Sequence, residues 1–564
     1  MRPIPALALC ATLTFAILAG CLQTPKDDAG ATPVAEREPA WALRAVFGNA
    51  DPDATGRIPS HDHSNRSLHK GLSTPNFEVV GHVELNSTYF GTAAGATACG
   101  DVSSGPRQIA TTDSHSTDVG LTVVDVTDRA KPEVLGELVL PFAFTYDNAI
   151  FADARYAVIA VNPDFAMDKP AGTADWVPFH AQWRTPCGTF PVGSNVDRVP
   201  YGYGSLLVDL KDPTNPVVAD FFEYPAGRNV HSISTAMVGG TRWVATSGLM
   251  AVPCTVPGFG GIPPPGTPQT PSVPCQPVPR YGNLMSHYDF LTVEETQAGP
   301  RLKPYAFYVP SDQTHLDPSN LYLSNGHTDA TVELHPLTNQ TVAYLADWDG
   351  GMHIVRLDKA NAMAPDGLPG QVTPLSSWGA VPGGDPTQST GHIHSVRPVD
   401  GLRLGHHYLV VGQEVVGRPS ARPSGQIAIL DVTDPTHPIP RARWTLPVDV
   451  IWPGSMGLAF STHYPILVND TLCVSAYHSG VWAVDARMSN WPDLPTVGVY
   501  LPDIEPSSPP VARSNTPSVE EVLDLGDGTL LAYDGDSGAY ILRFHPEDKS
   551  VPPALPWPND TFIG

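Results

Sequence analysis

Basic charge is the scarcest thing in this chain of 564 residues. Only 16% of its residues are charged, and 32 Lys and Arg face 57 Asp and Glu, for a formal net charge of -25. Basic residues occur singly or in pairs and never in a longer run. That argues against a nucleic-acid partner, because phosphate binding needs clustered cations. Other signatures are missing too. There is no C-x-x-C, no H-E-x-x-H, no glycine-rich phosphate loop and no nucleophile elbow, so the common zinc, nucleotide and serine-hydrolase motifs find no support. Apolar content is not lacking. Hydrophobic residues make up 41% of the chain, enough for a large core and too much for a disordered one. Glycine (50) and proline (61) are abundant. Both damage helix interiors, so they argue for many short strands joined by turns.

The first residues have the anatomy of a secretory signal. A positive end at Met1-Arg2 precedes an apolar stretch from Ile4 to Ala19. The stretch closes on Leu18-Ala19-Gly20-Cys21, which resembles the bacterial lipobox. The resemblance implies cleavage before Cys21 and lipidation of its thiol, and Leu22 after the cysteine implies the outer membrane in a host with two. The expected organisation is a signal over 1–20, a flexible lipid-anchored tether over 21–75, a folded domain over 76–550 and a tail over 551–564. Cysteine use agrees with export. Cys254 and Cys275 bracket a Pro/Gly-rich loop that a disulfide would close, and Cys99 and Cys187 lie in loop-like sequence as a second expected pair. Cys473 sits in the apolar stretch TLCVSAY and reads as a buried free thiol.

One strand recurs along the chain. It appears as GLTVVDVTDRAKP at Gly120, GSLLVDLKDPTNP at Gly204, GMHIVRLDKA at Gly351, GQIAILDVTDPTHP at Gly425 and GVWAVDARMSNWP at Gly480, with weaker copies at Tyr288 and Ala539. The copies lie roughly 70 residues apart on average, against roughly 40–50 for compact propeller repeats, and long inter-strand segments account for the excess. Apolar hairpins precede the strand, and a fourth, outer strand such as EVLGELVLP follows it. Four antiparallel strands in each of seven units predict an all-β, seven-bladed β-propeller. The last copy is followed by no convincing strand, whereas 76–85 reads NFEVVGHVEL ahead of the first unit. This orphan is expected to complete the last blade as its outer strand and so close the ring.

The strand with its DPTNP or DPTHP turn, as in GSLLVDLKDPTNPVVADFFEYP, resembles the LVIVD-repeat family of exported bacterial β-propellers, many of them lipid-anchored. The likeness spans roughly 76–546. It is specific at Gly120, Gly204, Gly425 and Gly480, and degenerate where Thr292, Arg356 and Arg543 replace the repeat aspartate. It implies the fold and an envelope location but no activity.

The repeat aspartate is expected to cap its turn by accepting backbone N–H bonds. The histidines carry more chemistry. In a four-stranded blade the innermost strand starts at the same mouth to which the loop between the second and third strands returns. That places His231, His394 and His463 around one mouth, with His478 and Glu333 as helpers, the last by register with the Thr471 hairpin. Such a set suits a transition metal such as zinc, copper or iron; alternatively, the histidines hydrogen-bond neighbouring blades. His406 and His407 are expected on the opposite face, in solvent, and Trp176, Phe179, Trp183 and Trp378 in long loops. Two functions follow as expectations. One is a lipid-anchored, monomeric interaction module of the envelope for a protein or a glycan. The other is a metal-dependent periplasmic enzyme, an oxidoreductase or a hydrolase.

Overall fold

A computed structural model describes residues 66–85, 100–104, 107–113, 120–140, 143–163, 204–224, 230–252, 283–310, 329–348, 350–358, 370–379, 393–414, 425–446, 461–492, 494–505, 517–535 and 537–547, with short strand pieces at 44–45, 176–178, 184–185, 188–189, 198–200 and 555–556. Their architecture is a seven-bladed β-propeller of four-stranded antiparallel blades. In order from the channel outward, blade 1 holds Gly100–Val102, Ile109–Thr112, Leu121–Asp125 and Glu133–Leu138. Blade 2 holds Ala143–Ile150, Tyr156–Pro163, Gly204–Asp209 and Val217–Glu223. Blade 3 holds Ser232–Val238, Thr241–Val252, Asn283–Thr296 and Gly299–Tyr308. Blade 4 holds Ala330–Leu334, Thr341–Ala346, Met352–Arg356 and Pro374–Trp378. Blade 5 holds Ile393–Pro398, Tyr408–Gln413, Gln426–Asp431 and Ile439–Thr445. Blade 6 holds Pro465–Val468, Thr471–Ser475, Val481–Asp485 and Thr496–Tyr500. Blade 7 takes Val519–Asp524, Thr529–Asp534 and Gly538–Phe544 from the end of the chain and Phe77–Val83 from its beginning. The outer strand therefore closes the ring as expected, with Phe77 opposite Phe544 and Val83 opposite Ala539.

The repeat residues have local reasons. Asp125, Asp209, Asp431 and Asp485 each accept the backbone N–H two residues on, at 2.9, 2.7, 3.1 and 3.1 Å. The strand therefore ends in an Asx turn, as its sequence implies. The glycine that starts the repeat strand is demanded by space, and in several copies by dihedral as well. At Gly480 φ is +76° and a Cβ would stand 2.1 Å from the Tyr500 carbonyl oxygen; at Gly538 φ is +105° and the distance to the Val83 oxygen would be 2.3 Å. The alternating apolar residues fill a separate core between each adjacent pair of blades. Blades 5 and 6, for example, share Ile427, Ile429, Trp444, Val474, Trp482 and Val484, and blades 7 and 1 share Ala110, Val124, Leu531, Tyr533 and Ile541. Buried indoles keep their N–H groups satisfied: Trp444 donates to Thr496 Oγ1 at 2.9 Å and Trp482 to the Ser479 carbonyl at 3.0 Å. Cys473 is buried and free, as its apolar strand suggests.

Three features depart from the expectations. Gly370–Gln371 adds a fifth, parallel strand at the outer edge of blade 3. Trp378 belongs to the outermost strand of blade 4 rather than to a loop, and it packs on the core between blades 4 and 5. The third concerns 66–75, read as the end of a tether, which is docked on the ring. Arg66 is fully buried and donates to Asp534 Oδ2 at 2.6 Å and Ser537 Oγ at 3.1 Å. His69 Nδ1 meets the Pro502 carbonyl at 2.6 Å, and Thr74 exchanges hydrogen bonds with Val499. This clasp covers the edge of the outermost strand of blade 6, which would otherwise be open to pairing. Cys21, Cys99, Cys187, Cys254 and Cys275 lie outside the described residues.

Breaking a buried ion pair strands a charge in low dielectric, which costs about 3–5 kcal/mol. We expect Arg66→Ala to lower unfolding stability by that amount in a urea titration. A loss within error of zero would show that the clasp does not hold blades 6 and 7.

Candidate functional site

The channel is lined by the innermost strands, and their side chains reach across each blade boundary to the next blade. Asp101 of blade 1 accepts from the Ile150 N–H of blade 2 at 3.0 Å, and Asp147 of blade 2 from Ile233 of blade 3 at 2.9 Å. Ser234 of blade 3 donates to the Ala330 carbonyl of blade 4. Asp329 of blade 4 accepts from Val396 of blade 5 at 3.2 Å, and Ser395 of blade 5 donates to the His463 carbonyl ahead of blade 6 at 3.0 Å. From blade 6, Ser475 and His463 Nδ1 bond the Glu520 carbonyl of blade 7 at 2.8 and 2.6 Å. Glu521 of blade 7 accepts from Gly100 of blade 1 at 2.7 Å and completes the circuit.

The result is an acidic lumen crossed by the Arg397 guanidinium. Arg397 of blade 5 lies 3.3 Å from Asp329 and 3.3 Å from Glu521, with its guanidinium over the Tyr464 ring at 4.9 Å. Burial works against this charge, but Asp329 and Glu521 outweigh it and hold the guanidinium protonated. The carboxyls respond in the opposite sense. Burial lifts Asp101 to about 6 and raises Asp329. It pushes Asp147, Glu520 and Glu521 well above the ordinary range, with neighbouring carboxylates adding to the shift.

At the mouth where the innermost strands begin, the structure brings His394 and His463 together, with a third residue the sequence reading missed. His394, Glu414 and His463 are all buried, and one ligand atom of each lies within 4.8 Å of the others. His394 Nε2 is 3.4 Å from Glu414 Oε2, and the two imidazole centroids are 4.3 Å apart. The Tyr477 hydroxyl donates to Glu414 Oε1, and its ring packs 4.7 Å from that of His463. Burial pushes Glu414 up to about 7.

The other sequence candidates lie elsewhere. His231 and His478 are half-buried and outside this group; His231 Nδ1 is 3.1 Å from Ser232 Oγ. Glu333 does not occupy the channel-mouth place in blade 4, because Asp329 does. Glu333 is near the end of its strand, where it accepts from Tyr344 Oη at 2.6 Å and pairs with His407 Nε2 at 2.6 Å. That pairing also corrects His407, which is buried; His406 is half-exposed and bonds Asp431 at 2.9 Å. Glu414 had a signal. It directly follows the second strand of blade 5, at the kind of loop root that drew attention to His478 in blade 6.

No protein-family model matches the chain, and no curated protein matches it. Among solved structures it is similar to the β-propeller domain of Cps50 (Swd1) from Myceliophteria thermophila. Identity is 10% and the TM-score 0.41, over 80% of this chain and 98% of that one. It is also similar to Saccharomyces cerevisiae Sqt1, with 10% identity and a TM-score of 0.38 over 83% of this chain and all of that one. Likeness at this level carries no argument about activity, and the blade count rests on the chain's own sheets.

The lumen predicts a pH dependence. A carboxyl raised by folding holds its proton more tightly in the folded chain. Between about pH 4, where the unfolded group titrates, and about pH 6, the folded state carries more protons and stability falls as pH rises. Asp101→Asn should flatten this slope by roughly 1–3 kcal/mol over that interval, read from urea midpoints. An unchanged slope would show that Asp101 is ionised throughout.

Proposed function

We propose that this protein is an exported, lipid-anchored interaction module of the bacterial cell envelope that binds a protein or a glycan. One observation carries the reading. The channel is crossed by Arg397, paired to Asp329 and Glu521. Recognition is then expected at the rims, where the segments 164–201, 253–280 and 380–392 connect the blade strands. Such loops on a rigid scaffold are common carriers of binding. The leader ending in Cys21 and the LVIVD-like repeats support the envelope location. The acidic balance of -25 disfavours nucleic acid.

The test has two arms. In the first, Cys21→Ala should move the exported protein from the membrane fraction to the soluble one. Unchanged membrane association would remove the anchor from the proposal. In the second, the full chain is immobilised and exposed to envelope extract, beside variants with each long segment shortened to a Gly-Ser link. Specific capture lost with one segment supports the module. Capture unchanged by every shortening would overturn the assignment to the rims.

A further inference from the structure

We propose that His394, Glu414 and His463 hold one divalent transition metal ion, zinc foremost, between blades 5 and 6 at the mouth of the channel. The inference stands apart from the interaction reading, because it rests on three side chains and their supports.

The spacing suits a metal better than a hydrogen bond. His394 Nε2 and Glu414 Oε2 stand 3.4 Å apart, beyond the 2.7–3.2 Å range of an N–H···O bond. Ligands at about 2.0–2.1 Å from a tetrahedral ion lie about 3.3 Å from each other. The separation is therefore close to one edge of a zinc tetrahedron. The third donor is close by, since all three ligand atoms fall within 4.8 Å of one another.

The supports orient the donors. His463 Nδ1 is held by the Glu520 carbonyl at 2.6 Å. A carbonyl only accepts, so Nδ1 carries the proton and Nε2 is the unprotonated nitrogen of the neutral ring. The Tyr477 hydroxyl takes Glu414 Oε1, while Oε2 is the atom nearest His394. Tyr477 itself sits at φ +45°, an uncommon dihedral for a residue other than glycine. Two imidazoles and a carboxylate are a common donor set for zinc, and three protein ligands leave one position for water or for a donor from a bound molecule. The placement has a consequence. Glu414 stands at the root of the segment 415–424, and His394 and His463 follow the segments 380–392 and 447–460 at short distance. An ion there would tie three loop roots and two blades to one point.

The test uses the full exported chain, stripped with chelator and reloaded with zinc, with bound metal measured by elemental analysis. About one ion per chain is expected in the wild type, and a raised melting temperature in step with occupancy. Glu414→Gln and His463→Gln should each reduce retained zinc to a small fraction, whereas His231→Gln, at the same mouth, should retain it. Tyr477→Phe keeps all three donors and should weaken affinity about 10–100-fold without changing stoichiometry. Cobalt supplies a readout on the unaltered protein, where a four-coordinate site gives intense visible bands and a six-coordinate surface site weak ones. A folded wild type that retains no zinc and shows no such bands would overturn the proposal. So would zinc retained in full by the Glu414→Gln, His463→Gln double variant.

Discussion

Everything in this molecule depends on a side chain of one blade meeting the backbone of the next. A propeller blade is a small twisted sheet with two apolar faces and two edges, and it cannot bury both faces alone. The seven inter-blade cores supply the area, but apolar packing has no direction. Direction comes from the latches at the channel: Asp101, Asp147, Ser234, Asp329, Ser395, His463 and Glu521, each bonded to its neighbour's main chain. Individually such bonds contribute about 1–3 kcal/mol, the larger values where a carboxylate accepts. Collectively they set the rotation of every blade about the axis.

The same latches explain the chemistry of the lumen. Carboxylates brought inward to accept backbone N–H groups crowd one another away from bulk water. Their proton affinity rises, and Arg397 offsets part of that burden by lying between Asp329 and Glu521. The cluster of His394, Glu414 and His463 is a local variation on this theme. In blade 5 the latch is Ser395, with His394 beside it at the bulge of the innermost strand, and His463 bonds the next blade through Nδ1 while standing in the same cluster.

Ring closure is the second constraint. Blade 7 borrows its outer strand from the start of the chain, so the two ends of the domain are held in one sheet. The clasp at 66–76 extends that bond to blade 6, with Arg66 anchored on Asp534 in the interior.

Much of this was legible in the sequence. The recurrence of a glycine, an apolar strand and an aspartate turn specified four-stranded blades, because strand alternation and Asx turns are local properties. The orphan at 76–85 specified closure, since a last unit short of a strand needs one from elsewhere. Histidines 394 and 463 were placed at one mouth from strand register alone. What the sequence could not decide was which of many inward groups meet. Glu333 and Asp329 lie four residues apart, and only the pairing of Ala330 with Leu345 shows that the aspartate faces the mouth and the glutamate the far end. Glu414 joined the two histidines, and Arg66 its buried partner Asp534, across 20 to 468 residues of chain. Periodicity reports which face a residue takes. The distance between two residues on different blades is set by how seven sheets pack around an axis, and that is a property of the closed ring.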